Sequence, residues 1–372
     1  MKIKEIINYI EKWAPPGVAW DKDNVGLQIG SSESDVTGIF LCLELTANAL
    51  KEAIKKQCNL IVTHHPLIFR PIKKLDFSKS QNSKLIKDII QNNISVFSAH
   101  TNLDFTKDGV SFELAKVLGL KNIKFLDNEK ENKSKVVVFV PADSVKNVAD
   151  SIFNAGGGII GEYQKCSFQS AGIGTFEGSD NSNPVVGKKN LFEKTTEIRL
   201  EVLVNKWNLN KVISAIKDSH PYEEPAFDIY SVQNINVNYG AGAIGCLDKS
   251  LSADQFLSHI CSKLKIKNLV YTNGKSSKIK NVAVCGGSGS ELLDKAMALK
   301  ADAFITADIK YHTYHDAEKN ILLIDAGHYE TEIFSLNAVK EKLELFIKKN
   351  NNDVKVIKSA GSTNPRKFYN YV

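Results

Sequence analysis

Two spacings of apolar residues alternate along most of the chain. Short continuous runs, such as Leu60-Ile61-Val62-Thr63 and Ile94-Ser95-Val96-Phe97-Ser98-Ala99, are rich in β-branched and aromatic residues and too short for buried helices. They predict interior strands. A third strand is expected at 37–45. The intervening segments 47–57, 83–92 and 110–120 carry apolar residues three and four apart with lysines between them, which predicts amphipathic helices. Residues 1–10 read the same way, and Pro15, Pro16, Gly17, Gly26 and Gly30 shape the stretch that follows into a loop.

Around Leu126-Asp127-Asn128-Glu129-Lys130-Glu131-Asn132-Lys133 the chain turns strongly polar, a boundary signal. Beyond it, strand, helix and strand patterns fall at 136–140, 144–154, 197–204, 209–218 and 226–232, with a glycine-rich hairpin region at 156–187. Two β-α-β units of similar length predict a ferredoxin-like α+β domain. A second polar stretch, 234–238, returns the chain to alternation: helix 252–263, strand 282–285, helix 291–300, strands 303–306 and 321–324, and a terminal helix over 332–348. The predicted fold class is α/β, a two-part core of doubly wound β-α-β units (1–127 and 238–372) with an inserted ferredoxin-like α+β domain (128–237).

Composition changes this picture little but excludes several functions. A hydrophobic content of 43% and 24% charge are ordinary for a soluble globular protein, and no apolar run reaches the roughly 20 residues of a membrane span. The net charge of +6 comes almost entirely from lysine, with arginine only at Arg70, Arg199 and Arg366. Arginine supplies the fork that reads bases and grips phosphates, so no dedicated nucleic-acid readout is expected. The six cysteines form no CxxC pair and sit partly in apolar runs, as reduced core thiols do. The start of the chain has interleaved charges rather than a signal-peptide pattern, and the expected location is the cytoplasm.

Candidate chemistry gathers where strands end. His64 and His65 stop the strand at 60–63, Asp104 follows the strand at 94–99, and His328 with Glu332 follows the strand at 321–324. In open α/β sheets ligands collect beyond the carboxyl ends of strands, so all five are expected on one rim of a parallel sheet. Three imidazoles and two carboxylates can hold two divalent ions, an arrangement that activates water and stabilises a leaving oxygen. Each residue also has a plainer use: a histidine pair as structure, an Asp as a turn former or cap, a His and Glu four apart as complements to a helix terminus. It is their coincidence at three strand ends that favours metal. Asp308 and His312, four apart after another strand, are expected as proton carriers, with capping as the plainer role. His100 is a candidate to orient Asp104. The run Gly286-Gly287-Ser288-Gly289-Ser290 offers either a phosphate cradle or a tight turn; it lacks the P-loop lysine. His220-Pro221-Tyr222-Glu223-Glu224-Pro225 reads first as a rigid turn, and His259 and His315 as ordinary helix or loop residues.

These same residues carry a family resemblance. Asp23-Asn24-Val25-Gly26-Leu27-Gln28-Ile29-Gly30, Thr63-His64-His65-Pro66, His100-Thr101-Asn102-Leu103-Asp104, Ala307-Asp308-Ile309-Lys310-Tyr311-His312 and Asp325-Ala326-Gly327-His328-Tyr329-Glu330-Thr331-Glu332 appear in order. The sequence resembles the GTP cyclohydrolase 1 type 2 homologues, or Nif-three-like proteins. Gly161-Glu162-Tyr163 and His220–Pro225 resemble the CutA/PII-like insertion of the family's longer bacterial members. The resemblance implies a dinuclear metal site at His64, His65, Asp104, His328 and Glu332 inside a toroidal homohexamer. Three positions depart from the pattern: Glu44 stands where Asp is common, Ala307 where Gly is common, and 105–109 lacks the usual paired glycines. None removes an implied ligand.

The function expected from the sequence is that of a di-metal hydrolase acting on a nucleotide-like or phosphorylated small molecule. Its two divalent ions are drawn from zinc, iron, manganese and nickel. The rival is a metal-stabilised hexameric regulator or scaffold without turnover, whose insertion binds an effector. Neither a membrane nor a nucleic acid is the expected partner.

Overall fold

The computed structural model describes residues 1–128, 133–161, 163–367 and 369, so Glu162 of the Gly161-Glu162-Tyr163 motif and Glu129 to Asn132 of the first polar boundary lie outside the described residues. The chain divides into two compact units, one formed by Met1–Asn128 with Tyr239–Val372 and the other by Glu129–Asn238.

The first half of unit 1 runs α1 (Ile3–Trp13), β1 (Gly26–Ile29), β2 (Gly38–Cys42), α2 (Ala47–Lys55), β3 (Leu60–Thr63), α3 (Gln81–Gln91), β4 (Ser95–Ser98), α4 (Thr101–Asp104), α5 (Val110–Val117) and β5 (Lys121–Asn128). The side chains of Thr46 and Ser80 cap α2 and α3 by accepting from Ala49 N and Ser83 N.

Unit 2 runs β6 (Lys133–Pro141), α6 (Val145–Asn154), β7 (Phe168–Glu177), β8 (Phe192–Asn205), α7 (Leu209–Ser219) and β9 (Phe227–Ser231). Its four strands pair antiparallel in the order β7-β8-β6-β9. A β-α-β-β-α-β chain in that order is the ferredoxin-like arrangement. Leu200, Val202 and Val204 of β8 pack with Val148 and Ile152 of α6 and Val212 and Ile216 of α7, so both helices cover one face of the sheet.

The chain then adds β10 (Gly240–Leu251), α8 (Ala253–Leu264), β11 (Val270–Thr272), β12 (Ile279–Ser288), α9 (Leu293–Ala298), β13 (Ala303–Ala307), α10 (Tyr311–Ala317), β14 (Leu322–Asp325), α11 (His328–Glu332), α12 (Ser335–Lys349) and β15 (Lys355–Lys358). Unit 1 therefore holds two sheets. One is five-stranded, ordered β1-β4-β3-β2-β15; the other is six-stranded, ordered β11-β14-β13-β12-β10-β5. The interior strands are parallel in each, while β1, β5, β10 and β11 pair antiparallel at the flanks.

Both sheets are buried on two faces. Ile39 and Leu41 of β2 pack on α1 and α12, whereas the alternate residues Phe40 and Cys42 pack on α2 and α3. In the second sheet Val282, Ile305 and Ile324 face α5 and α8, and Ala283, Phe304 and Leu323 face α9 and α10. Continuous apolar runs are what strands buried on both faces require.

Two expectations are corrected here. The five candidate residues do not share the rim of one parallel sheet: β3 and β4 belong to the five-stranded sheet and β14 to the six-stranded one. The terminal helix predicted over 332–348 is α12, starting at Ser335, and Glu332 instead ends a separate short helix, α11.

Candidate metal centre

His64 and His65 continue the extended path of β3: their backbone N–H groups still donate to Cys42 O and Leu43 O, at 3.2 and 2.9 Å. Pro66 then ends the pairing. On α11 of the other sheet, His328 and Glu332 sit one turn apart, and His328 Nε2 lies 3.1 Å from Glu332 Oε1. The carboxyl ends of strands from two sheets thus meet over one cluster.

Glu332 is its centre. Its side chain is 4% exposed, yet its oxygens lie 3.1 Å from His65 Nε2 and 3.6 Å from His64 Nε2 as well as beside His328. Asp104 Oδ1 lies 3.6 Å from His64 Nε2. The two nitrogens His65 Nε2 and His328 Nε2 face each other at 3.3 Å. All five predicted residues are therefore together.

Every imidazole in the cluster is tied at Nδ1. His64 Nδ1 donates to the Ala99 carbonyl at 2.8 Å, which fixes its tautomer and leaves the Nε2 lone pair pointing inward. His65 Nδ1 donates to Glu44 Oε1 at 2.9 Å, and His328 Nδ1 to Asp308 Oδ2 at 2.5 Å. His100 follows the same plan, with Nδ1 on Asp23 Oδ1 at 2.9 Å. An oxygen acceptor behind each ring is the usual support for a ligating histidine. The expectation that His100 orients Asp104 is corrected: its donor is spent on Asp23, and its ring sits edge-on to those of His64 and His65.

The residues present fit a metal. His64 Nε2, Asp104 Oδ1 and Glu332 Oε2 are buried without a hydrogen-bond partner, a costly state unless another group satisfies them. His65, His328 and Glu332 place one donor atom each within 4.8 Å of one another, and so do His64, His65 and His100.

Electrostatics agree. Burial would lower the pKa of His65, but the adjacent Glu332 carboxylate and the hydrogen-bonded Glu44 raise it to about 10. Against the same burial penalty, Glu332 and Asp308 raise His328 to about 9. Burial, only partly offset by His64, pushes Asp104 up to about 6. Glu332 is held well below the usual carboxylate range because His64, His328 and His65 outweigh its burial. The imidazoles hold protons where a cation would otherwise sit, so binding one releases them.

Gly287 of β12 was read as part of a phosphate loop or tight turn, and the structure gives it another job. A Cβ at Gly287 would stand 2.2 Å from Glu332 Oε1 and 3.3 Å from His328 Nε2, and its φ is +65°. Two N–H groups of the run are already used: Gly286 N donates to Ser111 Oγ and Gly287 N to Thr331 Oγ1. The glycine makes room for the carboxylate.

Asp308, expected as a proton carrier, lies behind His328, with its own φ at +53°. His312 is exposed on α10, its ring 5.5 Å from that of Tyr311, and the contacts that define the cluster run without it. Two residues that the local pattern could not assign are Asp23 and Glu44. Asp23 accepts from His100, Thr101 N and Thr101 Oγ1; Glu44 also accepts from Thr363 Oγ1 in the chain's last segment. His259 donates to the Leu118 carbonyl, a structural role. All six cysteines are unpaired. No helix among the described residues is long and apolar enough to cross a membrane.

A profile of the Duf34/NIF3 (NGG1p interacting factor 3) family matches residues 1–365. The chain is 35% identical over 365 residues to a Halalkalibacterium halodurans protein named GTP cyclohydrolase 1 type 2 homolog, covering 98% of each. It is 36% identical over 369 residues to one of the same name from Staphylococcus epidermidis, covering 99% of this chain and 100% of that one. Among solved structures it resembles a Bacillus cereus protein related to NIF3, with a TM-score of 0.80 and 34% identity over 99% of both chains.

Proposed function

The chain belongs to the Duf34/NIF3 family, and from that premise we propose that it is a di-metal hydrolase for a nucleotide-like or phosphorylated small molecule. The observation that carries this reading is the buried Glu332 carboxylate, met by three imidazoles that are each held from behind at Nδ1. His64, His65, Asp104, His328 and Glu332 would hold the ions, with Glu332 shared. A divalent pair supplies Lewis-acid chemistry: water made nucleophilic near neutral pH and charge stabilised at the leaving oxygen.

The chain's own residues set the remaining conditions. His64 and Glu332 are almost sealed, while His328 and Asp104 are 33% and 26% exposed, so substrate approaches from their side. Asp308 Oδ2 holds the Nδ1 proton of His328 and keeps that ring oriented. A planar base has aromatic surface nearby. Phe69 is 50% exposed with its ring 6.3 Å from that of His100, and Trp20, 57% exposed, has its backbone N–H donated to Thr101 Oγ1. These two residues favour a nucleotide-like substrate, in keeping with the GTP cyclohydrolase name of the relatives. The same reading includes the toroidal homohexamer.

The test is a substrate screen on the fully metallated protein, using GTP, the other nucleoside triphosphates and simple phosphomonoesters. Turnover of at least one probe that falls by about a hundredfold or more in Asp104→Asn supports the reading. Full metal occupancy with no turnover would move it to the regulatory rival.

A further inference from the structure

In unit 1 a short segment beyond β15 reaches both sides of the metal centre. Ser359 N donates to Leu41 O of β2 at 2.8 Å, and Ala360 N to Glu52 Oε1 of α2 at 3.1 Å. That course brings residues 359–366 to the carboxyl end of β2. Two consecutive residues then divide between the sheets. The Thr363 hydroxyl donates to Glu44 Oε2, just past β2 of the five-stranded sheet. Asn364 Nδ2 donates at 2.7 Å to Glu330 Oε1 on α11, which follows β14 of the six-stranded sheet. The turn that carries them is itself hydrogen-bonded: Asn364 N donates to Ser362 Oγ at 3.2 Å and Arg366 N to Asn364 Oδ1 at 2.9 Å.

Both acids support a histidine of the centre. Glu44 accepts from His65 Nδ1 through Oε1 at 2.9 Å, and its side chain is 36% exposed. A glutamate with one oxygen held and the other in water keeps several side-chain orientations, and a donor fixed on Oε2 removes that freedom. Glu330 lies between His328 and Glu332 and folds back on the turn that opens α11. A Cβ at Gly327 would stand 2.2 Å from Glu330 Oε2, an oxygen buried without a hydrogen-bond partner. The bond from Asn364 satisfies this carboxylate at its other oxygen. It also ties the first turn of α11, with His328, to the segment that holds Glu44.

We propose that residues 359–366 staple the two halves of the metal centre, with Thr363 positioning His65 through Glu44 and Asn364 positioning α11 through Glu330. Metal binding by the cluster, as proposed above, is the premise. Thr363 and Asn364 are positioning residues, each acting through another side chain.

Competition for zinc between the loaded full-length protein and a fluorescent chelator tests the assignment, beside the melting temperature of the metal-free form. Thr363→Val keeps the shape and removes the donor. It is expected to weaken zinc binding by about three- to tenfold, less than the loss of a histidine's acceptor itself. Thr363→Ser, which keeps the hydroxyl, is expected to bind as the wild type does. In a Glu44→Gln background Thr363→Val is expected to add little, because both act through one chain of hydrogen bonds. Asn364→Ala is expected to weaken zinc by a similar factor. Unchanged zinc affinity in Thr363→Val or Asn364→Ala, equal losses in Thr363→Val and Thr363→Ser, or full additivity with Glu44→Gln overturns the proposal. A lowered melting temperature of the metal-free form with unchanged zinc affinity also overturns it, assigning the segment to stability alone. A wild-type protein that takes up no zinc removes the premise and overturns both readings, a result distinct from all of these.

Discussion

At the scale of single residues, the centre is a problem of hydrogen-bond direction. A histidine binds a cation through one nitrogen only if its other nitrogen keeps a proton, and here that proton goes to the Ala99 carbonyl, Glu44 or Asp308. Glu44→Gln and Asp308→Asn keep the shape but weaken the acceptor. Each is expected to lower metal affinity by about 10–100-fold, read by competition with a chelator, with little change in fold. Gly287→Ala is a sharper probe, because its Cβ would collide with Glu332 Oε1 at 2.2 Å in a backbone conformation that L-residues avoid. It is expected to lose bound metal while the far-UV circular dichroism spectrum stays unchanged.

The five cluster residues were legible because each follows a strand whose apolar run ends abruptly. Asp23 and Glu44 were not legible as supports. Asp23 lies in a loop and Glu44 just past β2, and what they do is decided by which histidine the fold brings to them. Gly287 was not legible for a related reason: a glycine-rich turn after a strand looks the same whatever group it makes room for.

At the scale of elements, interior strands were read well and flanking strands poorly. β2, β3, β4, β13 and β14 are buried runs with a strong local signal. β10 is not: Gly240, Gly242 and Gly245 give it little strand character, although the close approach of β5 leaves no room for a Cβ at Gly240. β1 fell in a stretch read as a loop, and β5 and β15 are short or half-polar edges. Missing β5 and β10 hid the second sheet's true extent. That is why one rim was expected where two sheets converge.

The break between α11 and α12 matters for the site, since it lets α11 point His328 and Glu332 inward regardless of how α12 packs on α1 and β2. A proline at Val339, in the buried stripe of α12, should cost about 3 kcal/mol or more in chemical denaturation.

At the scale of the whole molecule, the cluster couples stability to pH and metal. In the metal-free protein His65, at about 10, and His328, at about 9, sit above the unfolded value of about 6.5. Their contribution is complete below about pH 6.5 and is lost as pH rises through 9 to 10. Asp104, raised to about 6, acts in the same direction at lower pH. Glu332, depressed, acts oppositely and loses its contribution as pH falls below the ordinary carboxylate range. The metal-free protein is therefore expected to melt at progressively lower temperature between pH 7 and 10. The loaded protein should show a smaller decline, because cations replace those protons. Differential scanning calorimetry of both forms across that range checks it. Sedimentation of the native protein checks the hexamer, expected at six times the 41.1 kDa chain mass.

The central claim is that the two sheets of unit 1 close around a pair of divalent ions, and elemental analysis of the purified full-length protein tests it most directly. Two ions per chain are expected, with a clear loss in His64→Ala and a near-complete loss in Glu332→Ala. Clearly fewer than two ions per chain, unaffected by either substitution, would contradict the account.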